Sequence, residues 1–274
     1  MTADDGIRAD VAGGVVTRVL APLGRRPCAV TANDAVGAYR VLRVADPDGP
    51  EPWPGQFYML ATVEGWGAGA DERPYLPRAF SYLRAVDGEL HFMLEDVGPG
   101  TARLGSAAPR EELWVLGPLG AGFEFPGDGR SPLLCGGGVG AAPLAALQDR
   151  LGVAPALLGF RDEAHAPGAA LLRDVRVATD DGSVGHHGFV TELLAEELDA
   201  GDEVVVYACG PPPMLEAVRA LCAQRAVPAQ LALESGMACG FGACFGCVVP
   251  TRDGYVRLCV DGPVLAADVL DRVA

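Results

Sequence analysis

Four cysteines near the C-terminal end of this 274-residue sequence constrain its fold more than any other feature. Cys239, Cys244 and Cys247 lie close together and Cys259 follows, which gives the spacing C-x4-C-x2-C-x11-C. The first three match the spacing of plant-type [2Fe–2S] sites, in which four thiolates hold two irons. Glycines between them would let backbone N–H groups approach the sulfurs. The motif therefore predicts a loop that binds a cluster and carries electrons one at a time.

The spacing leaves two other uses of four cysteines open. Structural zinc sites also take four thiolates, but usually as two short C-x2–4-C pairs, whereas here three cysteines crowd into one loop. Disulfides form in secreted chains, and the first residues, Met1 to Asp5, have neither the basic nor the apolar stretch of a signal peptide. The motif therefore favours a [2Fe–2S] cluster over zinc and over disulfides.

Composition narrows the class of protein. Half of the residues are hydrophobic and 21% are charged, which provides for a large core and excludes global disorder. The formal net charge is −15 and arginine supplies all 21 basic residues, so nucleic acids and anionic membranes are poor partners. No run of 18 apolar residues is present, which argues against a membrane-spanning helix. The four other cysteines are scattered, which suits a reducing compartment, and we expect a cytoplasmic protein.

The sequence divides into four segments that differ in their predicted secondary structure. Residues 1–25 form a short arm, and residues 26–127 contain short strand-like runs separated by Gly, Pro and Asp, which predicts a small antiparallel β-barrel. Residues 128–228 alternate strand-like runs with helices predicted at 141–151, 189–197 and 213–225, which indicates a parallel α/β sheet. Residues 229–274 carry the cysteines as a small closing module. The predicted fold class is therefore α+β with several domains.

A glycine-rich turn joins the first strand of the α/β segment to its first helix. The turn contains Gly136, Gly137, Gly138 and Gly140. Such turns let a backbone approach a ligand, and the N-terminus of the following helix favours an anion such as pyrophosphate. Cys209, Gly210 and Pro211 follow a second buried strand, at the edge where open α/β sheets bind ligands. A tight turn without a ligand, and a cysteine that only fills the core, remain the alternatives.

Two motifs in the barrel segment carry groups that suit a phosphorylated ring. The first consists of Arg78, Ala79, Phe80 and Ser81. Its arginine offers a charge-assisted fork to a phosphate, and its serine hydroxyl can hydrogen-bond a ring. The second motif, Gly98 to Thr101, follows one strand later and offers backbone N–H groups to an anion. Either motif alone is also compatible with an ordinary strand or turn.

Taken in order, these motifs resemble the ferredoxin–NADP⁺ reductase superfamily. The matching segments include Arg78 to Ser81, Gly98 to Thr101, Gly117 to Phe123, Gly136 to Leu144 and Cys209 to Pro211. With the cysteine spacing, they make residues 26–265 most similar to the electron-transfer subunits of class 1B dihydroorotate dehydrogenases. That resemblance implies an FAD-binding barrel, an NAD-binding domain and a [2Fe–2S] module. It also implies a partner subunit that carries FMN and oxidises dihydroorotate in pyrimidine biosynthesis, in a heterotetramer of two plus two subunits.

The resemblance also implies roles for individual residues. Arg78, Phe80 and Ser81, with Ala79 between them, would hold the flavin and its phosphates. The rest of the FAD would be lined by Leu94, Glu95, Asp96, Gly100 and Thr101. The nicotinamide nucleotide would face the 136–140 turn and the Cys209 to Pro211 turn, and the four cysteines would hold the cluster. No residue is assigned as a catalytic acid or base.

The sequence departs from the family pattern at several of these positions. Ala79 and Ala121 stand where proline and asparagine are usual, and Glu95 and Asp96 place acid where a basic residue is common near FAD. These differences affect individual contacts with the flavin more than the order of the motifs.

Acidic residues near the expected ribose site predict NAD rather than NADP. Arg161 follows a predicted strand, but Asp162 and Glu163 come next, and Asp180 and Asp181 end the following strand. Carboxylates there would repel a 2′-phosphate, which needs a positively charged pocket.

Three alternative functions share parts of this pattern. Small subunits of NADH-dependent ferredoxin:NADP⁺ oxidoreductases and of sulfide dehydrogenases have the same motif order. A stand-alone oxygenase reductase would need a full ferredoxin-like domain, for which the tail after Pro228 is too short. A zinc-stapled interaction module without flavin is the non-enzyme alternative, and such a protein would be colourless.

Overall fold

The first half of the chain folds into a closed six-stranded barrel. The computed structural model describes residues 17–22, 24–67, 74–127 and 129–273, so most of the predicted arm at 1–25 lies outside the described residues. The barrel strands run antiparallel in the order β1-β2-β5-β4-β3-β6. Their bounds are β1 Arg26–Val36, β2 Tyr39–Ala45, β3 Phe57–Thr62, β4 Arg78–Val86, β5 Glu89–Glu95 and β6 Glu112–Leu119. A short helix, α1 (Pro99–Gly105), lies between β5 and β6.

Turn chemistry explains where the first hairpin of the barrel reverses. β1 ends at Val36 and β2 begins at Tyr39, so the chain reverses over the two residues between them. Gly37 at the reversal has φ +59°, a backbone conformation that costs glycine little. The barrel core is filled by aliphatic and aromatic side chains from several strands, among them Leu42, Tyr58 and Phe92.

The second half forms a seven-stranded sheet in the order β10-β9-β8-β7-β11-β12-β15. All neighbours are parallel except β12 and β15. The strands are β7 Ser131–Gly137, β8 Ala156–Phe160, β9 Val175–Thr179, β10 His186–His187, β11 Val204–Cys209, β12 Ala229–Ala232 and β15 Val264–Ala266. The helices are α2 Ala141–Leu151, α3 Val190–Asp199 and α4 Pro212–Gln224. The sequence predicted the bounds of α2, and those of α3 and α4 within two residues.

The order of the strands creates a switch point beside β7. The chain runs outward from β7 through β8, β9 and β10, and then returns to place β11 on the other side of β7. In open α/β sheets, the crevice at the carboxyl ends of two such strands is where ligands bind. The carboxyl ends of β7 and β11 carry the two turns that the sequence analysis singled out, since Gly136 pairs with Cys209 in register.

The cysteine segment is attached to both halves of the molecule. It begins with β12 and returns through β15, so strands on either side of the cysteine loop belong to the large sheet. A small hairpin of β13 (Val248–Thr251) and β14 (Gly254–Arg257) completes it. Cys247 and Cys259 belong to one buried cluster with Met59 of the barrel and Leu231 of the sheet. The boundary placed at residues 228 and 229 from the sequence stays a prediction.

Among the described residues, no helix is both long enough and apolar enough to cross a membrane.

Candidate functional site

The last two cysteines of the motif form a buried sulfur pair. The Sγ atoms of Cys247 and Cys259 lie 3.2 Å apart, and the Cys259 backbone N–H donates to the Cys247 sulfur at 3.4 Å. A disulfide bond is about 2.05 Å long, so the two sulfurs are in contact without being bonded. Burial, followed by the neighbouring Cys247, raises the pKa of the Cys259 thiol to about 12.

The first two cysteines form a second pair nearer the surface. Cys244 is exposed and Cys239 is half-buried. Burial alone would raise the pKa of Cys239, but hydrogen bonds from the backbone N–H groups of Cys244 and Phe241, and from the Cys244 thiol, lower it to about 6. The Gly246 N–H points at the Cys244 sulfur at 3.4 Å. The N–H groups around Cys239 stabilise its thiolate, which is the form that binds metal.

Two glycines shape the loop between the cysteines. Gly240 and Gly242 have φ +77° and +90°, and a Cβ at Gly242 would come within 2.6 Å of Val260. The Arg257 guanidinium donates to the Gly242 carbonyl at 3.0 Å and ties β14 to the loop. Within the described ranges, no group of three or more His, Cys, Asp and Glu side chains forms a site for a single metal ion. Two sulfur pairs surrounded by N–H donors fit a [2Fe–2S] cluster, in which each iron takes two thiolates.

A cleft of about 270 Å³ lies where the barrel, the sheet and the cysteine segment meet. The barrel contributes Arg78, Ala79, Phe80, Ser81, Glu95 and Thr101 to its walls. The sheet contributes Val139 and Cys209, and the cysteine segment contributes Met237, two residues before Cys239. The structure therefore brings the predicted flavin and nucleotide motifs to one cleft that borders the cluster loop.

On the barrel wall of the cleft, the Arg78 guanidinium lies next to the tight turn formed by Gly98 to Thr101. Arg78 lies against Gly100, where a Cβ would come within 2.5 Å of the guanidinium Nε. The Thr101 hydroxyl accepts hydrogen bonds from the backbone N–H groups of Val97 and Gly98 at 2.9 and 3.0 Å. The guanidinium and this ordered turn are the parts of the barrel that suit a phosphate.

Three residues that the resemblance placed near FAD are not among the walls of the cleft, namely Leu94, Asp96 and Gly100, which packs against the Arg78 guanidinium. Leu94 is buried inside the barrel with Leu42 and Phe92, so its side chain belongs to the core. Asp96 is exposed, and its carboxylate lies near the Gly98 N–H and the Thr101 hydroxyl. A contact of Leu94 or Asp96 with flavin stays a prediction.

The two turns at the carboxyl ends of β7 and β11 pack directly on each other. A Cβ on Gly140 would overlap the Cys209 carbonyl group, and a Cβ on Gly137 would come within 3.0 Å of Pro211. Gly210 lies on the same contact, with the Gly137 nitrogen 3.1 Å from the position of its absent Cβ. Glycine is required because the two backbones leave no room for side chains. Open backbone of this kind is what a nucleotide can approach closely.

The residues expected beside the ribose meet at the ends of β8 and β9. Arg161 forms an ion pair with Glu95 of the barrel, and its guanidinium lies 2.7 Å from His165 Nε2. Asp180 and Asp181 are exposed, and their N–H groups donate to the carbonyls of Phe160 and Arg161. Arg161, the arginine expected beside the ribose, is therefore engaged by a carboxylate of the barrel.

Several residues that line the cleft were not expected there from the sequence. Glu234, Ser235 and Met237 were not singled out as cofactor ligands. Glu234 and Ser235 directly precede the cysteine motif, and that proximity was the one signal available. Their position beside Cys209 depends on the pairing of β12 with β11, which local sequence does not reveal.

The fold and the site define a class of protein, an oxidoreductase built on the ferredoxin reductase fold with an added iron–sulfur segment. The chain is similar to a structure of an NADH-dependent reduced ferredoxin–NADP oxidoreductase, with TM-score 0.76, 22% identity, and coverage of 95% of this chain and 91% of the other. It is also similar to the ferredoxin reductase of carbazole 1,9a-dioxygenase, with TM-score 0.61 and 23% identity, and the match covers 74% of this chain and 66% of the other. These likenesses confirm the predicted fold class.

Sequence relatives narrow the class to one family. Residues 234–271 match the model of the iron–sulfur cluster binding domain of dihydroorotate dehydrogenase B. The electron transfer subunit of dihydroorotate dehydrogenase B (NAD⁺) from Caldanaerobacter subterraneus subsp. tengcongensis is 36% identical over 227 residues, 80% of this chain and 87% of the relative. The electron transfer subunit from Geobacillus kaustophilus is 39% identical over 227 residues, which cover 78% of this chain and 85% of the relative. The chain belongs to the family of dihydroorotate dehydrogenase B electron transfer subunits.

Proposed function

We propose that this chain passes electrons between a dihydroorotate-oxidising partner subunit and NAD⁺, through a [2Fe–2S] cluster and FAD. The observation that supports this function most is the cleft shared by the barrel, the β7 and β11 turns, and the segment that leads into the cysteines. Electrons can cross between cofactors only when these lie close together. A single cleft at that junction would hold FAD between the nucleotide and the cluster.

The cofactors supply the redox chemistry, since NADH gives up two electrons together, a cluster carries one, and a flavin can do either. The residues of this chain bind, orient and shield. We propose that Arg78, Phe80, Ser81 and Thr101 bind FAD on the barrel wall. The glycine-rich turn at 136–140 and the Cys209 to Pro211 turn would receive the nicotinamide nucleotide.

The four cysteines would hold the cluster as the two pairs described above. Buried apolar neighbours of Cys247 and Cys259, such as Met59 and Leu258, keep water from one side of the sulfurs. The N–H groups around Cys239 favour its thiolate form and would tune the potential of the cluster. We assign no residue of this chain as a catalytic acid or base.

We further propose that the partner carries FMN and that two copies of each subunit assemble into a heterotetramer. The family to which the chain belongs supports a partner, because its members are named as one subunit of a larger enzyme. The acidic composition and the scattered thiols at Cys28, Cys135 and Cys222 support a cytoplasmic location.

Reconstitution tests the proposed function. The purified chain, loaded with FAD and iron, should reduce artificial acceptors with NADH but show no oxidation of dihydroorotate. Addition of the catalytic subunit encoded beside it should restore dihydroorotate-dependent reduction of NAD⁺. Full dihydroorotate:NAD⁺ activity from the single chain, or zinc in place of iron, would contradict the proposal.

A further inference from the structure

Glu95 is an acid at a position of the barrel where the family pattern often has a basic residue. It ends β5 and lines the cofactor cleft. Its carboxylate forms an ion pair with Arg161, the residue that follows β8 of the sheet. The unusual acid therefore has a partner on the other half of the molecule, in the loop that leaves the sheet after β8.

Arg161 stands where the adenosine ribose of a dinucleotide is expected. In sheets of this kind the pyrophosphate lies at the glycine-rich turn, and residues about 20 positions further along meet the ribose 2′-hydroxyl. An arginine near that point accommodates a 2′-phosphate. Since the turn here is 136–140 and β8 ends at Phe160, Arg161 is the cation that would receive the additional phosphate of NADP.

Two contacts turn the Arg161 guanidinium toward the barrel. Glu95 supplies the opposite charge, and Arg161 Nη2 lies 2.7 Å from His165 Nε2. Because a guanidinium can only donate, His165 Nε2 accepts. The ring proton is then on Nδ1, which donates to the Asp162 carboxylate at 2.6 Å. His165 is thus a neutral partner of Arg161, and Glu95 is the partner that offsets its charge.

The backbone of this loop is fixed by contacts that do not involve Glu95. The Ala38 N–H, between β1 and β2, donates to the Ala164 carbonyl at 2.7 Å. The His165 ring packs edge-on against Tyr39, with the ring centroids 5.4 Å apart. Loss of the Glu95 charge would therefore release the Arg161 side chain, which is 61% exposed, while the loop stays in place.

We propose that Glu95 is a specificity-determining residue, which disfavours 2′-phosphorylated dinucleotides by keeping Arg161 paired. Glu95 acts through Arg161 and is therefore a positioning residue. A residue of the flavin barrel thus takes part in the choice between NADH and NADPH. The proposal rests on the proposed function, because it takes NAD(H) as the nucleotide.

Two ligands that differ only by the 2′-phosphate isolate this effect, namely 5′-AMP and adenosine 2′,5′-bisphosphate. Calorimetric titration of the full chain, loaded with FAD and its cluster, gives the Kd of each without turnover. Glu95→Gln keeps the size of the side chain and removes its charge. It should tighten the binding of the bisphosphate about three- to tenfold, because a partly exposed arginine–phosphate contact is worth about that much. The Kd of 5′-AMP should stay nearly unchanged, and the KM for NADPH should fall relative to that for NADH.

Arg161→Gln identifies the cation that receives the phosphate. In the wild-type background it should change the affinity for the bisphosphate by less than about twofold, because Arg161 is already paired. In the Glu95→Gln background it should abolish the gain. The control is Glu51→Gln, which breaks another ion pair between the two halves, with Arg150 in the last turn of α2, and should behave as the wild type.

Flavin and iron content are measured for each protein, since Glu95 lines the cleft. A variant that has lost flavin is compared with wild type stripped of flavin, so that the titrations remain matched.

The outcomes separate the inference from the function beneath it. If Glu95→Gln binds the bisphosphate no better than the wild type, or tightens both ligands equally, the inference is overturned and the proposed function stands. A gain that survives in the double variant, or a large loss of bisphosphate affinity in Arg161→Gln alone, would overturn it as well. If the loaded wild type binds neither NADH nor these ligands, the proposed function fails together with the inference.

Discussion

Cys244 is the residue on which the cluster assignment can be tested with least disturbance to the fold. It is exposed, whereas Cys247 and Cys259 are buried in the core. We expect Cys244→Ser to remove or distort the cluster while FAD stays bound, because the flavin motifs lie on the barrel wall. Iron content and the visible spectrum check this. Cys222→Ala in α4 is the control and should keep its iron. Loss of flavin together with iron in Cys244→Ser would contradict the separation of the two sites.

Gly140 is a second residue with a specific steric role. A Cβ there would overlap the Cys209 carbonyl, so Gly140→Ala must push apart the two turns that form the nucleotide crevice. Forcing an extra methyl group into a packed position costs about 1–3 kcal/mol. We therefore expect NAD⁺ to bind roughly tenfold more weakly or worse, with FAD and iron retained, as measured by titration. Gly127→Ala, whose Cβ would meet open space, should bind normally.

At the start of β1, Arg26 forms an ion pair with Asp46, the residue after β2, and a hydrogen bond with Gly117 of β6. Arg26 Nε donates to Asp46 Oδ1 at 2.7 Å, and its Nη1 donates to the Gly117 carbonyl at 2.8 Å. The Asp46 side chain is 4% exposed. Removing one partner of a buried pair leaves an uncompensated charge, so Asp46→Ala should lower the free energy of unfolding by about 3–5 kcal/mol.

A second ion pair on β1 and β2 provides the control for that prediction. Arg43 and Asp34 pair on the surface, with Asp34 58% exposed. Exposed pairs contribute up to about 1 kcal/mol, so Asp34→Ala should change stability little. Denaturant unfolding followed by circular dichroism measures both variants. Equal effects of Asp46→Ala and Asp34→Ala would show that the buried pair does not hold the barrel strands together.

The residues at the ends of β8 and β9 are the basis for predicting that the protein prefers NADH to NADPH. Arg161 is paired with Glu95, while Asp180 and Asp181 stand exposed at the end of β9. A 2′-phosphate would meet these carboxylates while Arg161 is already paired, so kcat/KM in the diaphorase assay should be higher with NADH than with NADPH. Asp180→Arg should shift the ratio towards NADPH, whereas Asp202→Arg, on the exposed turn before β11, should not. A wild type that uses NADPH equally well would refute this preference.

At the scale of the whole molecule, two aromatic side chains mark the face that would meet the partner. Phe241 and Phe245 are 60% and 62% exposed on the cysteine loop, whereas Val249 of the same segment is buried. Apolar residues near the cluster therefore have two roles, since some pack the loop and others remain available for an interface core. Phe245 has φ +58°, a conformation in which aspartate is tolerated better than most residues.

Phe245→Asp is consequently expected to weaken the complex with the catalytic subunit without loss of iron. The physical reason is that a carboxylate would have to be desolvated at the interface. Size-exclusion chromatography of the mixed subunits, with iron analysis of each fraction, measures the effect. Phe189→Asp, which changes an aromatic residue of similar exposure at the start of α3, is the matched control. If both variants assemble as the wild type does, the interface lies elsewhere.

Features with a local cause could be read from the sequence. The bounds of α2 follow from a run of helix-forming residues between glycines, and β8 and β9 are short apolar runs between turns. The cysteine spacing and the glycine turns are equally local, because a tight loop or a close backbone approach needs particular residues within a few positions of one another. These features, with the order of the motifs, were sufficient to predict the fold class and the family.

Only the tertiary structure decided the arrangements that join distant parts of the chain. β12 and β15 are too short to show a periodic pattern, and their place in the sheet comes from pairing with β11 and with each other. Arg161 meets Glu95 of the barrel, and Glu234 reaches the crevice beside Cys209, across long sequence separations. Hydrogen bonding and burial between remote segments depend on how whole elements pack, and no local pattern of residues determines that packing.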